Sequence, residues 1–212
     1  MGVTYQSFEY FHKWFNKEKY KSVCELGDQQ FMLCFPYTEY SYTRTYFENN
    51  NIEYDSIDLN GLGKSLMLDL NIDIEIKKQY DFITDFGTLE HVVDYYMGFK
   101  NTDKLCKVGG IMLHILPAVS HWPDHGSWRG DRVFYIKLGK TQNYIIKDVH
   151  TEPTKIGGPT SDQIYIVYEK TEEKEFMSKE IFNSFGPIKI NEPEIYVKGK
   201  VGGGRNLNRE KL

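Results

Sequence analysis

Residues 80–96, YDFITDFGTLEHVVDYY, begin as an apolar strand and end as a helix, and at the seam they set Asp85, Gly87, Thr88, Glu90 and His91 together. A short apolar run that stops at an acid and a glycine is the pattern of a strand buried on both faces, and a helix behind it makes a β-α unit. In an open α/β sheet ligands bind outside the carboxyl ends of the strands, so this turn is a candidate site from its position alone.

Two earlier runs have the same form. KSVCELG (21–27) is a short apolar strand broken at Gly27, and IEYDSIDLNG (52–61) returns as a second strand ending in acid and glycine. Between them FPYTEYSYTRTYFENNN (35–51) has poor helix propensity but sits where a crossover is needed. HVVDYYMGFKNTDKLCKVGG (91–110) suits a helix through Val92, Tyr95, Tyr96, Phe99 and Leu105 that ends near Gly109 and Gly110, and IMLHILP (111–117) is a further strand. Strand and helix alternate, which predicts a parallel sheet built from right-handed crossovers. AVSHWPDHGSWRG (118–130) has no period and reads as a loop, and DRVFYIKLGKTQNY (131–144) resumes helical spacing. YIIKDVHTEP and DQIYIVYEKT, joined by TKIGGPTS, read as a hairpin. The expected fold is therefore α/β, a mixed, mostly parallel sheet closed by an antiparallel hairpin.

The expected organisation is an N-terminal amphipathic helix (1–20), a main domain (21–171) and a C-terminal extension (172–212) that turns charged and then glycine-rich. In the first, Ser7 caps a helix over 7–20 whose Phe8, Phe11, Trp14 and Phe15 share one side. The 212 residues suit one domain of ordinary size. The formal charge is -4 and the basic residues are scattered, so no nucleic-acid partner is expected and a small molecule is favoured. Cys24, Cys34 and Cys106 show no zinc-ligand or CxxC spacing, as thiols kept reduced in a cytoplasm would. No apolar run approaches a membrane span and no leader is visible, so a soluble, cytoplasmic protein is expected, with homo-oligomerisation left open.

Three stretches carry chemistry. In VCELGDQQF, Glu25-x-Gly27 lets the backbone turn sharply against a ligand while the carboxylate fixes an orientation. Only Gly27 of a GxGxxG loop is present, with Gln29 and Phe31 where glycines would help a pyrophosphate approach, which argues against NAD. Asp58, at the end of the second strand, offers two oxygens to the two hydroxyls of a ribose, though a solvated strand-end Asp is the plainer alternative. In LMLDLN, Asp69 or Asn71 could reach an adenine amino group, and each is equally natural in an Asx turn.

Taken in order, Glu25-x-Gly27, Asp58, Asp69-Leu70-Asn71, DFITDFGTLEH and LCKVGGIMLHILP resemble the successive motifs of class I S-adenosylmethionine-dependent methyltransferases over roughly residues 20–171. More narrowly, ELGDQ, FGTLEHV, CKVGGIMLHILP and DHG look like a subgroup associated with sugar and surface-polysaccharide pathways. The resemblance implies a Rossmann-like methyltransferase fold with helices on both faces, and S-adenosyl-L-methionine as cofactor. It implies that Glu25, Gly27 and Gln29 line the methionine part, that Asp58 with Leu59 takes the ribose, that Asp69 and Leu70 border the adenine, and that Asp85, Phe86 and Gly87 stand beside the sulfonium. Gln29 departs from the superfamily's second glycine.

Methyl transfer to an oxygen also needs a base or a metal, and histidine is the natural base near neutral pH. His91, His114, His121 and His125 fall at or after ligand-side strand ends; His114, mid-strand in an apolar run, reads as a hydrogen-bonded core residue. His125 is the expected base with Asp124 as its partner and His91 as a third catalytic candidate, while His121, Trp122 and Trp128 shape an acceptor pocket. Asp124 could orient the imidazole or, through water, hold a divalent ion, and no resident metal is assigned. The expected activity is methylation of a hydroxyl on a small polar acceptor, a sugar or nucleotide-sugar. An N-, RNA- or protein methyltransferase, or a non-catalytic module of the same fold, is the alternative.

Overall fold

The structure is a computed structural model that describes residues 2–31, 42–59, 64–75, 77–119, 125–154 and 162–190. Along the chain run α1 (Tyr5–Trp14), β1 (Ser22–Leu26), α2 (Thr43–Asn49), β2 (Glu53–Ile57), β3 (Tyr80–Asp85), α3 (Tyr95–Leu105), β4 (Cys106–Pro117), β5 (Trp128–Arg129), α4 (Arg132–Thr141), β6 (Ile145–Glu152), β7 (Gln163–Glu169), α5 (Lys179–Ser184) and β8 (Ile188–Lys189). One sheet holds six of these strands in the order β2-β1-β3-β4-β7-β6. β2, β1, β3 and β4 are parallel, and β7 runs antiparallel to both β4 and β6. The expected mixed sheet is present; the turn between β6 and β7, residues 155–161, lies outside the described residues.

β2 lies on one side of β1, and β3 and β4 on the other. The strand order thus reverses beside β1, which is where a doubly wound sheet opens a crevice at the carboxyl ends of its strands. Register aligns those ends: Ile57, Leu26, Asp85 and His114 stand in one row, and Ser56, Glu25, Thr84 and Leu113 in the row before it. Side chains one residue apart on a strand point to opposite faces. Glu25 and Asp85 therefore share a rim but turn to opposite sides of the sheet.

Each side has its own core. Phe11 of α1 and Phe47 of α2 pack with Val23, Phe82 and Leu113 on the Glu25 side, whereas Tyr95 and Phe99 of α3, Phe134 of α4 and Phe182 of α5 pack with Leu26, Ile83 and Met112 on the Asp85 side. A fully buried aromatic such as Phe11 contributes about 1.5 to 3 kcal/mol. Helices cover both faces.

Several boundaries differ from the sequence reading. α1 starts at Tyr5 because Thr4 is its cap, in a reciprocal pair with Ser7: the Ser7 amide donates to Thr4 Oγ1 at 3.1 Å and the Thr4 amide to Ser7 Oγ at 2.8 Å. α3 ends at Leu105, not near the two glycines, which lie inside β4. There the register jumps from Tyr80–Cys106 to Phe82–Ile111, so extra residues of β4 bulge out, with Gly109 at φ +79°. A Cβ on Gly110 would stand 2.8 Å from the Lys107 carbonyl oxygen and 3.0 Å from that of Asp81, so the bulge needs a glycine. The described part of the C-terminal stretch, 172–190, packs onto the domain: Phe176, Met177 and Phe182 join the Asp85-side core and β8 pairs with β5. No helix among the described residues is long and apolar enough to cross a membrane.

Candidate active site

At the end of β1 the backbone turns through Gly27 at φ +80°, and a Cβ there would meet Thr88 Oγ1 at 2.6 Å and Gln29 Nε2 at 2.7 Å. Glycine is required on both grounds. Glu25, fully buried, presents Oε2 to three donors: the Gln29 amide at 3.0 Å, Thr43 Oγ1 at 2.6 Å and Tyr54 OH at 2.6 Å. Its other oxygen, Oε1, accepts no hydrogen bond among the described residues, and neither does the buried Oε1 of Gln29. Burial pushes the Glu25 carboxyl up to about 7 against the pull of its three donors. Two acceptors without donors, one of them poised to ionise, are left at this turn.

β2 brings Asp58 to the same rim, where Oδ2 accepts from the Asp28 amide at 3.1 Å and ties the β1 and β2 turns together. Leu59 beside it is half-buried. A parallel bridge from Ile57 to Leu66, with the Leu66 amide donating to the Ser56 carbonyl at 2.7 Å, extends the sheet edge by one residue. Asp69 Oδ1 accepts from the Asn71 amide at 2.9 Å and from Asn71 Nδ2 at 2.8 Å, the Asx arrangement that was the alternative to an adenine contact. Leu70 is buried in the Asp85-side core.

Asp85 is fully buried, accepts from the Thr88 amide at 2.8 Å and the Leu89 amide at 3.3 Å through Oδ1, and pairs through Oδ2 with His114 Nδ1 at 3.0 Å. Burial pushes its carboxyl up, opposed by His114. His114 is the hydrogen-bonded core residue expected from its strand. Gly87 follows at φ +83°, Phe86 is buried on the Glu25 side, and Thr88 Oγ1 donates to the Leu26 carbonyl at 2.7 Å. The Asp85 carboxylate thus builds the turn from behind.

Past that turn stands a group the sequence hardly betrayed. Glu90 is fully buried, with Oε1 3.7 Å from His91 Nε2 and 3.6 Å from His125 Nε2. These separations are electrostatic contacts, longer than hydrogen bonds. Neither Glu90 oxygen accepts a hydrogen bond among the described residues. Burial pushes the Glu90 carboxyl up, but the His91 and His125 imidazoles outweigh it and hold it below the ordinary carboxylate value. The two rings meet edge to face, centroids 4.7 Å apart. The loop carrying His125 is clamped here: the Ser127 amide donates to the Glu90 carbonyl at 2.6 Å, and Gly126, at φ +73°, could carry a Cβ only at 2.7 Å from Glu90 Cγ. Buried Arg129 donates to the His125 and Trp128 carbonyls from beneath. Trp128 donates its indole N–H to the Val93 carbonyl at 2.8 Å and stacks on Tyr95 at 5.9 Å, contacts that fix the loop to the α3 side. His121, Trp122 and Asp124 lie outside the described residues.

Among the described residues the carboxylate beside His125 is Glu90, whose signals in the sequence were its place in the turn after β3 and its adjacency to His91. Thr43 and Tyr54, which hold Glu25, carried none. A charged depression lined by Asp73, Lys100, Lys104 and Glu173 lies at the opposite, amino-terminal end of β3 and β4, where both lysines pair with Asp73. It contains none of the candidate residues.

No protein-family model matches the sequence, and no curated protein does. Solved structures match the fold. A Listeria monocytogenes protein crystallised as a candidate S-adenosylmethionine-dependent methyltransferase superposes with a TM-score of 0.58 at 14% identity, covering 78% of this chain and 98% of that one. The 1,6-didemethyltoxoflavin-N1-methyltransferase of Burkholderia thailandensis, solved with its substrate and S-adenosylhomocysteine, gives 0.50 at 12% identity over 71% of each chain. An O-methyltransferase from a trans-AT PKS multienzyme of Brevibacillus brevis, in complex with S-adenosylhomocysteine, gives 0.51 at 10% identity over 74% of this chain and 69% of that one. The chain has the Rossmann-like fold of these methyltransferases.

Proposed function

We propose that the protein is an S-adenosylmethionine-dependent methyltransferase acting on a hydroxyl of a small polar acceptor, a sugar or nucleotide-sugar. The observation that carries the reading is the pair of buried oxygens without donors, Glu25 Oε1 and Gln29 Oε1, beside Gly27 where the strand order reverses. An ammonium is a donor of three N–H groups and no acceptor, and the amino acid end of the cofactor presents one. The likeness in fold to proteins crystallised with S-adenosylhomocysteine supports the same ligand.

Glu25 and Gln29 bind the amino group, and Gly27 allows close approach of the chain. Asp58, whose Oδ2 braces the β1 turn, stands at the rim to take the ribose hydroxyls. Leu59, Asp69 and Leu70 border the adenine side, with Asp69 acting through the Asx turn it forms with Asn71. Asp85 is a positioning residue that fixes the backbone of Phe86 and Gly87. When bound, S-adenosylmethionine supplies an electrophilic methyl group on a sulfonium. The acceptor's proton is handled at Glu90, His91 and His125, where a buried carboxylate faces two imidazoles. Asp124, His121 and Trp122 complete the acceptor side in this reading, and Trp128 supports it through its stack on Tyr95.

The test is transfer of a labelled methyl group from S-adenosylmethionine to a panel of sugars and nucleotide-sugars, with product formation read alongside S-adenosylhomocysteine release. Label on an acceptor oxygen is expected. Label found only on nitrogen, RNA or protein would replace the acceptor half of the reading.

A further inference from the structure

We infer that Glu90, His91 and His125 form a three-ligand site for a divalent first-row transition metal, with its remaining coordination positions open toward the acceptor. One ligand atom from each, a carboxylate oxygen and two imidazole nitrogens, lies within 4.8 Å of the others. The Glu90 Oε1 separations of 3.7 Å and 3.6 Å are too long for hydrogen bonds. Around a cation with bonds of ~2.1 Å, neighbouring ligand atoms stand ~3.0 to 3.5 Å apart. Closing on an ion shortens the two edges from Glu90 Oε1 by a few tenths of an ångström and the edge between the imidazole nitrogens, which lies within 4.8 Å, by more than that, which rotation of the two imidazole side chains can supply.

A second observation is independent of that geometry. Glu90 is fully buried, and neither of its oxygens accepts a hydrogen bond among the described residues. An ionised carboxylate so placed is unfavourable unless a cation compensates it. Two imidazoles and one carboxylate suit manganese, iron, cobalt or zinc, whereas magnesium and calcium favour all-oxygen cages. The ligands are also held in place. The Ser127 amide bonds the Glu90 carbonyl, Gly126 leaves space against the Glu90 side chain, and Arg129 holds the His125 carbonyl, so ligands from two separate loops are fastened together by the scaffold. His150 makes the contrast. It offers Nδ1 to Asp148 and Nε2 to Glu152, so its two acids do not converge on one point.

The binding site stands on these residues alone; its consequence for chemistry rests on the function proposed above. A hydroxyl bound to such a cation gives up its proton to solvent more readily, and two open positions would select an acceptor with adjacent oxygens, such as a vicinal diol.

The experiment uses the full-length chain, stripped with chelator and titrated with Mn2+ by electron paramagnetic resonance and with Co2+ by visible absorption, without nucleoside. One ion per chain is expected, with Glu90→Gln and His125→Ala each weakening binding at least tenfold and His150→Ala leaving it unchanged. Circular dichroism reports whether the variants fold; if Glu90→Gln does not, His125→Ala decides, because that side chain is partly exposed. No saturable binding up to millimolar metal, or binding moved by His150→Ala and untouched by the other two, would overturn the inference. S-adenosylhomocysteine is titrated separately into chelated protein. Nucleoside binding without metal binding sinks the metal site alone, and metal binding without nucleoside binding leaves the site standing and sinks the proposed activity.

Discussion

Glu25 and Glu90 are both fully buried carboxylates at the carboxyl ends of the parallel strands, and their surroundings push them in opposite directions. Glu25 has one oxygen held by three donors and one left over, and burial raises it to about 7. Glu90 has no donor among the described residues and two imidazoles at contact distance, which hold it below its ordinary value. The first is a rigid, half-filled acceptor that waits for an N–H donor. The second is a fixed negative charge that needs a positive partner at all times. Between them Asp85 shows what a finished site looks like, with donors on one oxygen, His114 on the other, and no capacity for a ligand. Partnering, more than burial, separates the carboxylates proposed to bind from the one that builds the turn.

The contrast breaks most visibly at His125. His125→Ala should lower turnover by roughly a hundredfold or more while S-adenosylhomocysteine affinity stays within a factor of two or so, because in the proposed function the Glu90 group handles the acceptor proton and takes no part in nucleoside binding. An unaltered rate removes His125 from the chemistry. Next comes Asp58→Ala, expected to weaken S-adenosylhomocysteine binding by about 1.5 to 3 kcal/mol with turnover at saturation little changed. Equal affinity of variant and parent rejects the ribose role.

Glu25 sharpens the comparison through pH. A ligand ammonium favours the carboxylate, so affinity should be full above about pH 8 and fall by about tenfold from pH 8 to pH 6 as the free protein takes up a proton. A flat profile contradicts the assignment. Stability has the opposite sign. Burial raises the carboxyl from the ordinary 4.5 to about 7, so this group favours the fold at low pH and its contribution falls by up to about 3 kcal/mol as pH rises from 4.5 to about 7. Glu25→Gln, with no charge to bury, should melt higher than the parent at pH 8 while binding nucleoside less well. The smallest effect is expected at Trp128→Phe, which loses the bond to the Val93 carbonyl and about 1 kcal/mol of stability, measured by denaturant unfolding.

The strands that build the rim were legible because each is a short apolar run ended by an acid or glycine, and register then did what alternation and pairing require. β4 was misjudged at its start because Gly109 and Gly110 look like a helix stop. They mark a bulge, and only the close approach of two carbonyls to Gly110 reveals it. Residues 172–190 looked like an appendage because Phe176 and Phe182 stand among charges, yet both fill a gap beside α3 that local pattern cannot show. Asp69 forms the Asx turn with Asn71 that was already visible in the sequence. Glu90 is the instructive case. Its partner His125 arrives from a different loop, and no spacing rule links the two; the fold alone brings them within reach.

In the proposed function the rim around Glu25, Gly27 and Asp58 binds one sulfonium nucleoside. Titration calorimetry of the full-length chain with S-adenosylhomocysteine at pH 8 tests it directly. Saturable binding of one molecule per chain, weakened by Asp58→Ala, is the result expected. Absence of any binding heat at millimolar ligand, with the protein folded by circular dichroism, would contradict it and leave a methyltransferase-like fold that holds no cofactor.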